Sequence, residues 1–177
     1  MLEIKLEPIN FIKFVSDYAE EIKNRNSNRF AIKIEIDKEL LKEHKIKEVV
    51  IQGDKDFLHQ AFNNIIENAE LHAFNDLDLT ENRIELELLY DFDNLEVQLD
   101  FTNTGKPFPE DYSFEAFTRK GGNAGDNAGN GVGGWFINEV MKKHNGKLDF
   151  TDETGPEGIK GDFATTFELT FPIEIKV

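Results

Sequence analysis

GNGVGGWFINEVMKKHNG (129–146) places Gly129, Gly131, Gly133 and Gly134 within six residues and follows them directly with a helical pattern. Phe136, Ile137, Val140 and Met141 recur at the spacing of one helix face. Lys142 and Lys143 close that pattern and Gly146 lies beyond it, a C-terminal signal. Glycines at a helix start let the backbone approach a ligand closely. The first helical N–H groups have no partner inside the helix, and the dipole puts positive potential there. Such a junction suits phosphate. A flexible loop capping a helix would use the same residues, so the stretch alone leaves both readings open.

The 177 residues fit one domain, 1–177, with a sizeable core. The formal net charge is −15, from 35 acidic and 20 basic residues. So acidic a chain does not bind nucleic acid through its general field. Any polyanion must be held locally, by backbone amides, a few cations or a metal. There is no Cys, which excludes a disulfide framework and thiol chemistry and favours an intracellular setting. No apolar run approaches the ~18 residues of a membrane span, so no direct membrane contact is expected. The opening MLEIKLEPIN lacks signal-peptide character.

Working outward from the glycine stretch, residues 8–24 read as an amphipathic helix, broken by Asn24, Asn26, Ser27 and Asn28. FAIKIEID (30–37) alternates like a half-buried strand, 38–47 reads as a charged surface connection, and VVIQ (49–52) as a short buried strand. Asp54 is placed to cap a helix over about 55–74. IELELLY (84–90) and LEVQLDF (95–101) alternate around DFDN and predict an antiparallel hairpin. Residues 110–130 show little pattern, as a functional lid does. KLDF (147–150) and TTFELTFPI (165–173) close the chain as strands, joined by a turn with Gly155, Pro156, Gly158 and Gly161. This order predicts an α/β sandwich of antiparallel strands with helices on one face. A dinucleotide fold is disfavoured, because strands and helices do not alternate regularly.

Four stretches carry the chemistry. In NNIIENAELHAF (63–74), Asn64 and Asn68 lie at i and i+4 on one helix face. Either they hydrogen-bond a neighbouring strand, or Asn68 supplies an oxygen to Mg²⁺, an ion that bridges phosphates. NTGKPFP (103–109) ends a strand in a polar residue and a tight turn. FEAFTRK (114–120) sets two Phe before Arg119 and Lys120, cations able to reach a phosphate from a lid. The glycine-led helix is the fourth.

These stretches, in this order, resemble the ATP-binding catalytic domain of sensor histidine kinases, of the GHKL ATPase superfamily shared with gyrase, Hsp90 and MutL. NIIENA resembles the N box, NTGKP the first glycine box, FEAF the F box and GNGVGG the second glycine box; HNGKL and TTFELTFPI resemble the closing strands. The resemblance implies a two-layer sandwich: a mixed, largely antiparallel sheet of about five strands covered on one face by three helices, with ATP under a lid of about 106–130. It implies that Asn68 ligates Mg²⁺ and that Asn64 contacts phosphate or water. Asn103 takes the adenine position and Gly105 permits the turn beside it. Gly129, Gly131 and Gly133 line the triphosphate, with Arg119 and Lys120 as lid cations and Thr165 as a water-mediated adenine contact.

Three positions depart from the family pattern. Asn103 stands where Asp is usual, Pro107 replaces a glycine, and Leu71 replaces a common basic residue. Asn lacks the charge of Asp and its amide can turn over, which predicts weaker ATP binding and poorer rejection of GTP. Asn64 stands where hydrolysing branches carry a Glu that activates water, and Asn cannot act as a general base. Glu67 is read as solvated or capping. The resemblance therefore implies a kinase that passes the γ-phosphate to a His on a separate dimerisation domain, with a response regulator downstream, in the cytoplasm. His72 and His144 read as packing or capping residues, so the acceptor is expected outside this chain. The alternatives are a stand-alone serine kinase of the anti-sigma type, or a regulatory module without nucleotide.

Overall fold

A computed structural model describes residues 2–74, 82–108, 112–120, 132–152 and 163–177. Its elements run β1 (Glu7–Asn10), α1 (Phe11–Asn26), β2 (Ala31–Ile36), α2 (Lys38–Glu43), β3 (Glu48–Gly53), α3 (Lys55–Asn68), β4 (Arg83–Asp91), β5 (Glu96–Thr104), α4 (Phe114–Thr118), α5 (Gly133–Lys143), β6 (Lys147–Asp152), β7 (Phe163–Pro172) and β8 (Glu174–Lys176). Between α3 and β4 the helix continues as a π-turn, Ala69–Ala73.

The main sheet has the order β2-β4-β5-β7-β6. Only β2–β4 is parallel; the other three pairs are antiparallel. Alternation decides which face is covered. Ile84, Leu86 and Leu88 on β4, and Val97, Leu99 and Phe101 on β5, are buried. Glu85, Glu87, Gln98 and Asp100 between them are not. Helices α1 and α3 fill the buried side, with Phe11 against Phe171 at 5.0 Å and Phe62 against Phe101 at 5.2 Å between ring centroids. The expected mixed, largely antiparallel five-stranded sheet under helices is what forms.

Several boundaries differ from the sequence reading. Residues 7–10 form a strand ahead of the first helix, because they pair antiparallel with β3. That pairing and β3–β8 build a second, three-stranded sheet. Residues 38–43 are helical rather than a bare connection, with the Asp37 side chain capping at Leu40 N. The patternless stretch contains α4, and Tyr112 stacks on Phe108 at 5.2 Å. Phe108 in turn meets Phe150 at 4.8 Å, so Tyr112 anchors the start of this stretch to the aromatic cluster of β6. Residues 121–131, with Gly129 and Gly131, and the turn glycines Gly155, Gly158 and Gly161 lie outside the described residues.

Candidate functional site

The N-box helix α3 starts where its sequence says it should: Asp54 accepts from the N–H groups of Asp56 and Phe57. Its buried stripe of Leu58, Ala61, Phe62, Ile65 and Ile66 fixes its rotation. That rotation leaves Asn64 and Asn68 half-buried. Asn64 Nδ2 donates to the Gln60 carbonyl at 2.9 Å. A Cβ on Gly133 would stand 3.3 Å from Asn64 Oδ1, so the N box and the first turn of α5 face each other. Asn68 Nδ2 is buried without a hydrogen-bond partner among the described residues. A buried donor left unmade costs about 1–3 kcal/mol, and a ligand that satisfies it recovers that cost.

Glu67, one position before Asn68, is exposed, and its charge acts on Tyr18 and Glu70. Glu70 pairs with Arg29 at 2.7 Å; burial nonetheless raises its carboxyl above the usual range.

The end of β5 reaches the same region through the π-turn. Lys106 N–H donates to the Ala73 carbonyl at 2.9 Å. Gly105 has φ +112°, and a Cβ there would lie 2.2 Å from the same carbonyl oxygen. Both the conformation and the contact require glycine. Such π-turns concentrate at functional sites, and no feature of AELHA announces this one. Asn103 is buried at 5% exposure and pairs across the ladder with Thr165, at 3%. Asn103 Nδ2 donates to the Thr104 carbonyl at 2.9 Å. Turned over, the amide would set oxygen against oxygen, so the bond opposes the free turnover expected from sequence and leaves Oδ1 as the acceptor.

Helix α5 begins without a side-chain cap at Val132 and without an acidic residue in its first turn. A Cβ on Gly134 would stand 2.2 Å from the Phe117 carbonyl oxygen, so α4 and α5 are in backbone contact. Lys120 lies over the Trp135 ring at 4.8 Å, whereas Arg119 turns back to Glu115 at 4.0 Å. The other end of α5 is closed by His144, 1% exposed. Its Nδ1–H donates to the Val140 carbonyl at 2.7 Å and its Nε2 accepts from Asp54 N–H at 2.9 Å. Burial lowers its pKa, against those bonds and the Asp54 carboxylate. His144 is thus the packing residue expected; His72 is exposed and is not.

Asn64, Asn68, Gly105 and Gly133 are therefore gathered from α3, β5 and α5 around one end of the sandwich, with Lys120 beside the first turn of α5. Asn103 and Thr165 occupy paired strand positions just behind Gly105. A profile of the family described as histidine kinase-, DNA gyrase B-, and HSP90-like ATPase matches residues 53–175. The chain belongs to that family. Membership of this ATPase family implies an ATP site. A search by sequence among curated proteins found no match. Solved structures share the fold. A mycobacterial sensor histidine kinase, MprB, is 20% identical with a TM-score of 0.68, over 97% of this chain and 100% of that one. Full-length ShkA in complex with AMPPNP is 16% identical with a TM-score of 0.70, over 99% of this chain and 33% of ShkA. Histidine kinase ThkA in complex with the response regulator protein TrrA is 13% identical with a TM-score of 0.63, over 94% of this chain and 41% of ThkA.

Among the described residues no group of three His, Asp or Glu could hold a metal ion. A single neutral side-chain oxygen, that of Asn68, would fit only an ion that arrives on a nucleotide and draws its charge from phosphate. Among the described residues no helix is long and apolar enough to cross a membrane.

Proposed function

We propose that this chain is the Mg-ATP-binding catalytic domain of a sensor histidine kinase, working in the cytoplasm. It would present the γ-phosphate to a His on a dimerisation domain, whose phosphoryl group a response regulator then takes. The observation that carries the reading is that Asn64, on the N-box helix, faces Gly133 in the first turn of α5, with the Asn68 side chain one turn further along the same helix face. In this reading Asn68 holds the ion and Asn64 a phosphate oxygen or its water. Asn103, Gly105 and Thr165 receive the adenine. Gly129, Gly131 and Gly133 receive the phosphates. The bound ion would neutralise phosphate charge during transfer.

Asn at position 64, where hydrolysing branches carry a Glu, favours a kinase over a hydrolase. Asn64 cannot take a proton from water. The test has two parts. Calorimetric titration with Mg-ATP should give saturable binding; none would remove the nucleotide and leave a protein-interaction module. Incubation with γ-labelled ATP should give no stable phosphoprotein and only slow phosphate release. Fast turnover by the pure chain would replace the kinase reading by an ATPase.

A further inference from the structure

Trp135, the chain's only tryptophan, was not among the candidate residues, yet it holds a cation at the phosphate end of the site. About two cation–π pairs are expected in a chain of this length, and a second joins Arg83 to the Phe163 ring at 5.3 Å. The existence of the Lys120–Trp135 contact is therefore ordinary. Its place is not. Trp135 is the third residue of α5, and that helix has no acidic residue in its first turn and no side-chain cap from Val132. The helix dipole repels a cation there. Lys120 nonetheless stands there, with no carboxylate paired to it among the described residues. The contact of Gly134 with the Phe117 carbonyl ties α4 to the same turn, which limits how far Lys120 can travel. A cation held against the first turn of a helix is disfavoured by the dipole unless an anion comes between them.

We propose that Trp135 is a positioning residue for the polyphosphate of the nucleotide. Its ring holds the Lys120 ammonium beside the start of α5 before ligand arrives. One face of the ammonium rests on the ring and the remaining N–H groups are presented to phosphate oxygens. This inference rests on the site being a nucleotide site. A lysine chain is costly to immobilise when a ligand binds, and pre-ordering it lessens that cost. The contribution belongs to the β- and γ-phosphates, so it separates ATP from AMP.

The test is calorimetric titration with Mg-ATP and with AMP of the unaltered protein, Trp135→Leu, Trp135→Phe, Lys120→Met and the Lys120→Met/Trp135→Leu pair. Circular dichroism checks that each is folded. Trp135→Leu should weaken ATP binding by about three- to fivefold, the scale of one exposed cation–π contact. AMP binding should be unchanged, and Trp135→Phe should recover most of the loss. In the Lys120→Met background, Trp135→Leu should have no further effect. Equal weakening of ATP and AMP, or an undiminished effect without Lys120, would overturn the proposal while the nucleotide site stands. If Trp135→Leu does not fold, Trp135→Phe and Lys120→Met carry the test through the ATP-to-AMP ratio. Lys120→Met must weaken ATP alone, and an unchanged ratio overturns the proposal. Failure of the unaltered protein to bind ATP removes the site and this inference with it.

Discussion

Helix α5 ends differently at its two termini. At the C-terminal end the cap residue His144 uses both ring nitrogens, and the Gly146 N–H donates to the Met141 carbonyl at 2.9 Å. Lys142 and Lys143 lie in the last turn, where the dipole favours them. At the N-terminal end Val132 supplies no side-chain cap, and a cation, Lys120, rests on the ring of Trp135 in the first turn. Nearby, a buried amide donor of Asn68 is unmade among the described residues. Among the described residues, side chains of the protein close one end and none closes the other. In the reading proposed above, the contrast separates residues that hold the fold from residues that meet the nucleotide.

The sharpest way to break the contrast is at His144. His144→Ala should lose about 3 kcal/mol of stability, through a cavity and the orphaned Asp54 N–H. Urea unfolding measures this. ATP affinity of the folded fraction should survive, and an intact stability with lost affinity would reverse the roles of the two ends. At the open end, Asn68→Ala should weaken Mg-ATP binding by about 2 kcal/mol, since a bond to a charged partner is lost. Its melting temperature should hardly move, because the donor removed has no partner among the described residues. A large drop in melting temperature would make Asn68 structural.

Acid sharpens the closed end. His144 folds neutral, with its pKa pushed below the ordinary value by burial. Above the unfolded value of about 6.5 both states are neutral and stability is complete. As pH falls below it the unfolded chain takes up the proton first. Stability is then lost progressively as pH drops through the folded value. Thermal melts between pH 7.5 and 5 should show this loss, and His144→Gln should lack it. The smallest effect is expected at the base. With its Nδ2 held by the Thr104 carbonyl, Asn103 Oδ1 should accept from adenine and oppose the oxygen of guanine. ATP should bind about 1 kcal/mol better than GTP. Equal affinities would mean that the amide turns over, as its sequence alone suggested.

What was legible in the sequence was whatever local rules dictate. The glycine-led helix, the Asp54 cap, the alternating hairpin strands and the i, i+4 pair Asn64 and Asn68 all follow from spacing within a few residues. Their order along the chain was enough for the sheet and for the family. Other features arise only where distant segments meet. Glu7–Asn10 is a strand because β3 is there to pair with it. Gly105 needs its positive φ because the Ala73 carbonyl, thirty-two residues earlier, presses against it. Trp135 could be core, surface or ligand contact until the fold laid Lys120 over its ring. Periodicity and capping act along the chain and are therefore written in it. Close backbone approach, amide orientation and an uncompensated charge depend on which neighbours tertiary packing brings, and no local pattern names them.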